Sequence, residues 1–211
     1  HFFKPLNDIP LQVAFTKGQH KIPDALKSLS FTPITQGKTW GSKWEYGWFR
    51  GSFTVPKEAA GKMVAIMINV GGEAAVYVDG EFSGAFDKEH KVVFIPGLGE
   101  VGRTFEIVLE AYAGHGLQLE RTGPTPPDRE TVPEPPEHQC VVGESVFGVW
   151  QESAFQLALD VETLWEVREN LDQNSLRVME IDEGLKDFTL IANFEAPHKE
   201  MLASLDAARV R

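Results

Sequence analysis

Residues 48–56 read WFRGSFTVP, and their alternation decides the fold class. Phe49, Gly51, Phe53 and Val55 are apolar or small, while Arg50, Ser52 and Thr54 take the opposite side. That is the period of two of a strand with one buried face. Pro56 then ends the ladder by removing a donor. Working outward, Met63 to Val70 is an almost unbroken apolar run between Gly61 and the pair Gly71 and Gly72, as in a strand buried on both faces at the centre of a sheet. Ala74 to Val78 leads into Asp79-Gly80, a dipeptide that accepts the positive φ of a tight hairpin, and the return strand runs through Phe82. His90 to Ile95 and Thr104 to Tyr112 continue the series, with Phe105, Ile107, Leu109 and Ala111 on one face of the latter. Val141 to Trp150 reads as a closing strand. Short strands at this spacing, with no helix between them, predict a mainly β fold: an antiparallel jelly-roll sandwich, galactose-binding-like, over residues 31–150.

After Trp150 the period becomes helical. Ala154, Leu157, Val161, Leu164, Trp165 and Leu171 recur at three and four residues. Val178, Ile181, Leu185, Phe188 and Ala192 repeat the stripe after the polar break at Asp172 to Ser175. Glu195, Ala196 and Pro197 open a third helix whose apolar side is Met201, Leu202, Leu205 and Ala208. Residues 151–211 are thus a C-terminal helical segment. Residues 1–30, with apolar residues interrupted by prolines, read as an extended N-terminal arm without assigned elements. From Gly123 to Glu137 the run GPTPPDRETVPEPPE carries six prolines and four acids. It reads as a loop excursion, because it can neither sustain a ladder nor bury a core. Its basic residues and spacing meet the needs of a proline-rich docking ligand poorly.

Composition narrows the function. The chain has 211 residues, with 20 Lys and Arg against 31 Asp and Glu, a formal charge of -11. A field of that sign repels phosphate and argues against a nucleic-acid partner. There is no apolar run long enough for a membrane span. The single cysteine, Cys140, excludes an intramolecular disulfide, and a reducing cytoplasm is the expected location. The chain starts at His1 and stops at Arg211 inside a helix-like charged segment, so a piece of a longer polypeptide is expected.

No group of residues recognisable in the sequence meets the minimum for catalysis. The histidines at 1, 20, 90, 115, 138 and 198 are far apart and lack ligand spacing, so no metal and no cofactor is expected within this chain. The carboxylates Glu73, Asp79, Asp87, Glu89, Glu106 and Glu110 sit on or beside strands. Two of them held across a sheet would suit a glycosidase, but a solvated strand face is the preferred reading. The glycines at 71, 72, 97 and 99 lie between strands rather than opening a helix, which removes the phosphate loop.

The densest unusual feature is aromatic. Trp40, Trp44, Tyr46, Trp48 and Phe49 with Arg50 fall within eleven residues. Their even positions place Trp44, Tyr46, Trp48 and Arg50 on one strand face if the strand extends that far. Such a face suits a sugar ring stacked on aromatic surface with polar neighbours for its hydroxyls. Packing beneath the helices or against another domain is the preferred alternative. His115, in the run EAYAGHG, is a further candidate on the sugar-binding reading, and a strand-end turn otherwise.

The runs WGSKWEYGWFRGSFTVP (40–56), GEAAVYVDGEFSG (72–84) and FEIVLEAYAGHG (105–116), in that order, resemble the N-terminal β-sandwich of the cytosolic and bacterial α-mannosidases of glycoside hydrolase family 38. The tail SVFGVWQESAFQLALDVETLWEVRENL (145–171) resembles that family's passage into its helical connector. The resemblance covers about residues 30–211. It implies a parent enzyme of mannose metabolism that hydrolyses α-mannosidic bonds with retention, using an aspartate nucleophile and a zinc ion in a catalytic domain. That domain opens with a His-x-His-x-Asp motif absent from residues 1–211, so no catalytic or zinc residue carries over and this chain alone is expected to be inactive. The partners it implies are the catalytic domain of the same polypeptide and mannosides. A second copy of the chain and an interaction scaffold are the other associations weighed.

Overall fold

The computed structural model describes residues 2–21, 27–114 and 137–209. The expected loop at 123–137 therefore lies outside the described residues except for Glu137, and His115 lies outside them as well. The chain divides into two compact units, Pro5–Val149 and His1–Lys4 with Trp150–Arg211.

The strands are β1 (Phe3–Asp8), β2 (Leu11–Thr16), β3 (Thr32–Ile34), β4 (Thr39–Trp40), β5 (Tyr46–Thr54), β6 (Met63–Ile68), β7 (Glu73–Val78), β8 (Glu81–Phe86), β9 (Val93–Leu98), β10 (Thr104–Tyr112), β11 (Cys140–Val141) and β12 (Ser145–Trp150). One sheet has the order β1-β12-β6-β9, a second β3-β2-β5-β10-β7-β8, and β11 pairs with β4 alone. All the pairings with a resolved register are antiparallel. The inner faces of the two larger sheets form the core. Phe49 and Phe53 of β5, Phe105, Ile107 and Leu109 of β10, Val64 and Ile66 of β6 and Phe147 of β12 are buried together. Phe53 stacks on Phe147 at 4.2 Å between ring centroids. Burial of this apolar area is the main stabilising contribution.

The strand expected at Thr104 to Tyr112 runs over those residues, and β6 holds the interior position expected of Met63 to Val70. Asp79 and Gly80 both take positive φ, 51° and 85°, in the β7–β8 hairpin. Two expectations change. The residues assigned to an N-terminal arm supply β1 and β2, and β2 lies inside the second sheet between β3 and β5. Prolines hid them, yet Pro5 in β1, Pro33 in β3 and Pro96 in β9 all fall on edge strands, where a missing donor breaks no ladder and discourages pairing with another chain. Second, β9 starts at Val93 instead of His90. The side chain of Asp87 accepts hydrogen bonds from the N–H groups of Glu89 and His90 and holds them in a turn.

The helices are α1 (Glu152–Glu169), α2 (Leu176–Ile191) and α3 (His198–Arg209). Ser175 caps α2 by accepting from the N–H of Val178, and Pro197 precedes α3 as the sequence predicts. Ala154 and Leu157 of α1 pack with Met201, Leu205 and Ala208 of α3. The later part of the α1 stripe does not follow: Leu164 and Trp165 are exposed, as is Leu171 just beyond the end of the helix.

Candidate functional site

Because β5 alternates, Tyr46, Trp48 and Arg50 point away from the inter-sheet core. Trp48 is nevertheless 0% exposed. Opposite it, Ala14 of β2 leaves room for the indole, whose Nε1 donates to Thr16 Oγ1 at 3.2 Å, while His20 packs edge-on. Arg50 donates from Nε to Gln12 Oε1 at 2.8 Å and places its guanidinium 4.2 Å from the Phe31 ring centroid. Two of the side chains expected to face a sugar, Trp48 and Arg50, are thus engaged with Gln12, Ala14, Thr16, His20 and Phe31, and Trp48 has no surface left for a ligand. Trp40 is also buried, donating from Nε1 to the Val70 carbonyl at 2.6 Å.

Trp44 and Tyr46 differ. Trp44 lies just before β5, at φ 59°, a conformation that costs a non-glycine residue about 1–2 kcal/mol. Its N–H donates to the Gly114 carbonyl and its side chain is 49% exposed. Its ring stacks at 6.5 Å on Tyr112, which in turn lies 4.8 Å from Tyr46. Burial, then the neighbouring Tyr46, pushes the Tyr112 hydroxyl pKa up. The register explains the stack, since Tyr46 of β5 is directly opposite Tyr112 of β10. On the other side of Tyr112, the register places Glu73 of β7.

Glu73 is the wall of a groove of about 520 Å³ formed by the end of β6, the start of β7, the end of β8 and the residues before β12. Met67, Ile68, Val70 and Phe86 supply its apolar floor. Its rim carries Asn69, Glu73, Asp87, Lys88, His90, Lys91 and Glu144. Backbone contacts fix the walls. Asn69 donates its N–H to the Glu144 carbonyl at 2.8 Å, accepts from the Gly143 N–H at 2.7 Å, and receives the Gly71 N–H on its side-chain Oδ1 at 2.9 Å. Gly71 has φ 82°, and a Cβ there would land on the Val141 backbone, so only glycine fits. At the far wall, Asp87 Oδ2 lies 2.9 Å from His90 Nδ1. The His90 N–H, its imidazole and then the Glu89 N–H hold the Asp87 carboxyl at about 2, while Asp87 raises the His90 pKa. With Nδ1 engaged, Nε2 is the ring atom left for other contacts.

The sequence marked Glu73 and Asp87 as strand-side carboxylates and missed Asn69, Lys91, Glu144 and Tyr112. The register of β10 on β5 was the one signal that would have found Tyr112. Among the described residues, no three His, Cys, Asp or Glu side chains stand together in a way that would hold a metal ion. The Cys140 thiol is buried, and that burial, then Glu45, raises its pKa. No described helix is long and apolar enough to cross a membrane.

Residues 7–168 match the family described as "Alpha-mannosidase, jelly roll domain". No curated protein matches the chain. Among solved structures, a β-glucuronidase from Ruminococcus gnavus in complex with D-glucaro-d-lactam aligns at 12% identity and TM-score 0.42, over 70% of this chain and 29% of that one. The Ruminococcus gnavus β-glucuronidase in another structure aligns at 13% identity and TM-score 0.37, over 52% and 20%. The chain thus spans 20% to 29% of the length of these two structures.

Proposed function

Because the chain belongs to the α-mannosidase jelly-roll domain family, we propose that it is the accessory N-terminal region of a cytoplasmic α-mannosidase, serving a catalytic domain of the same polypeptide. The observation that carries the proposal is the family match, which runs from β1 through nearly all of α1 and so includes the passage from sandwich to helix. On this reading the parent enzyme hydrolyses α-mannosidic bonds with retention. Its zinc would gather substrate hydroxyls in that other domain. The described residues of this chain do not fit the ion, and no step of catalysis is assigned to them.

The helical unit supports the docking role. Leu164, Trp165 and Val167 of α1, Leu176 and Met179 at the start of α2 and Leu190 near its end are exposed, and apolar side chains of this kind are what a docking contact would cover. The single buried cysteine supports a reducing compartment. The test is complementation: this chain and the catalytic portion of the parent, produced separately, are assayed on a chromogenic α-mannoside. The chain alone is expected to be inactive, and to raise or stabilise the activity of the catalytic portion when added. Hydrolysis by the chain alone, or no effect of adding it, overturns the proposal.

A second reading, carbohydrate recognition, is favoured by the exposed Trp44 ring beside Tyr46 and Tyr112. Of the other residues first assigned to it, Trp48 and Arg50 now hold the N-terminal strands in place.

A further inference from the structure

We propose that the tip of the α1–α2 hairpin, residues 162–183, is the docking element of the helical unit, and that it seats in an apolar recess rimmed by Lys and Arg on the catalytic portion of the parent polypeptide. The inference rests on the accessory-domain reading and deepens it by naming the element that docks and the chemistry of its partner. Six apolar side chains of the tip stay open to solvent: Leu164, Trp165, Val167, Leu171, Leu176 and Met179, with Trp165 55% and Leu176 72% exposed. The core of the helical unit takes Ala154, Leu157 and Val161 from α1 and Phe188 and Ile191 from α2, all from the other end of the hairpin. The α1 stripe runs on past that core as Leu164, Trp165 and Leu171, which is how apolar residues at helical spacing come to stand open.

The tip is held in place before any contact. Arg168 ties the helices together by donating from Nε to Asp182 Oδ1 at 2.7 Å, and its guanidinium lies 5.6 Å from the Trp165 ring centroid. Gln173 Nε2 donates to the carbonyls of Arg168 and Leu171, both at 3.0 Å, which closes the end of α1, while Ser175 caps α2. The side chains are thus presented on an ordered frame, and little entropy is lost on docking. A half-exposed tryptophan is the kind of anchor that dominates protein interfaces. Charge then sets the partner. Residues 162–183 hold seven Asp and Glu against two Arg. Both Arg are already paired, Arg168 with Asp182 and Glu169, and Arg177 with Glu180. Among the described residues no ion pair engages Glu162, Glu166, Asp172 or Glu183. A second copy of this tip would bring acid against acid, whereas a rim of Lys and Arg complements it.

The experiment measures the rates at which the 211-residue chain binds the separately produced catalytic portion, by surface plasmon resonance at about 0.05 M and about 0.5 M salt. Trp165→Ser is expected to weaken binding about thirty-fold, mainly through faster dissociation. The triple variant Glu162→Gln, Glu166→Gln, Glu183→Gln should slow association about ten-fold at the lower salt and far less at the higher. Leu190→Ser, as exposed as Leu176 but at the other end of α2, is the control and should leave both rates unchanged. Leu176→Ser is a second tip variant, expected to weaken binding as well, and far-UV circular dichroism checks that each variant keeps its helices. Binding that no tip variant weakens, or that Leu190→Ser weakens as much as Trp165→Ser, overturns the tip and leaves the accessory-domain reading standing. Association that salt does not slow overturns the basic rim. Self-association of the chain that Trp165→Ser abolishes makes a second copy the occupant and overturns the proposal. A wild-type chain that does not bind the catalytic portion overturns both the proposal and the reading beneath it.

Discussion

Removing the Trp48 ring should cost the sandwich far more than removing the Trp44 ring, although both lie on the surface-facing side of β5 or just before it. Trp48 is fully buried against Ala14, Thr16 and His20, so Trp48→Ala leaves a cavity the size of an indole under β2. Substitutions of that kind cost about 3–5 kcal/mol, and the lost Nε1 bond to Thr16 adds about 1 kcal/mol. Against a total of about 5–15 kcal/mol for a domain, that is a large share. For a unit of this length it corresponds to a fall in Tm of about 8–24 °C. Trp44→Gly removes a half-exposed ring and its stacking on Tyr112, about 0.5–1.5 kcal/mol, but also removes the left-handed strain at φ 59°, about 1–2 kcal/mol. Its net effect should lie within about 1 kcal/mol of zero. Urea unfolding followed by near-UV circular dichroism, whose signal comes from packed aromatics, measures both variants. If Trp48→Ala costs less than about 1 kcal/mol, or Trp44→Gly more than about 3, the division into a buried, structural tryptophan and a half-exposed one is wrong.

Gly71→Ala should lower the yield of folded protein and its Tm sharply, because the new Cβ meets the Val141 backbone as well as an unfavourable φ. Gly61→Ala, at φ 66° with open space around it, serves as the control and should cost only about 1 kcal/mol; equal effects would refute the close approach at Gly71. The turn at 87–90 should be held best in mildly acidic solution. The Asp87 contribution is present above the ordinary carboxylate value of 3.8 and is lost as pH falls toward about 2. The His90 contribution is complete below 6.5 and disappears as pH rises through its raised pKa. A proton NMR titration of the imidazole should give a midpoint above 6.5 that falls in Asp87→Asn, and a wild-type midpoint at or below 6.5 would sink the ion pair.

Much of the sandwich was legible in the sequence because one-sided burial writes itself as alternation. Thr104 to Tyr112 and Trp48 to Val55 alternate for that reason, and Asp79-Gly80 marks its hairpin through backbone chemistry alone. The first two strands were hidden because Pro5 and Pro10 read as breakers, and only the sheet order reveals that β1 is an edge. The aromatic face was legible as a strand face but not as an exposed one. Alternation distinguishes the two sides of β5, yet it carries no information about Ala14, Thr16 and His20, which cover Trp48 from a distant part of the chain. For the same reason the apolar stripe of α1 predicted a buried side at Leu164 and Trp165 that the described residues leave open.

The groove was invisible for a different physical reason. Its polar groups come from the end of β6, the start of β7, the turn after β8 and the residue before β12, and none of these positions obeys a period. What brings Glu144 to the same opening as Glu73 is backbone bonding: Asn69 ties the two segments through both its amide and its carbonyl, and Gly143 lies so close to the Asn69 side chain that a Cβ would collide with it. The two carboxylates are thus positioned by groups that carry no ligand chemistry themselves. A substitution at Gly71 or Gly143 should then displace the groove's rim and lower the Tm, whereas Glu73→Gln, on an exposed side chain, should leave the fold alone. That asymmetry separates a site built into the sandwich from a chance gathering of surface charges, since a chance gathering would gain or lose nothing when its supporting backbone shifts.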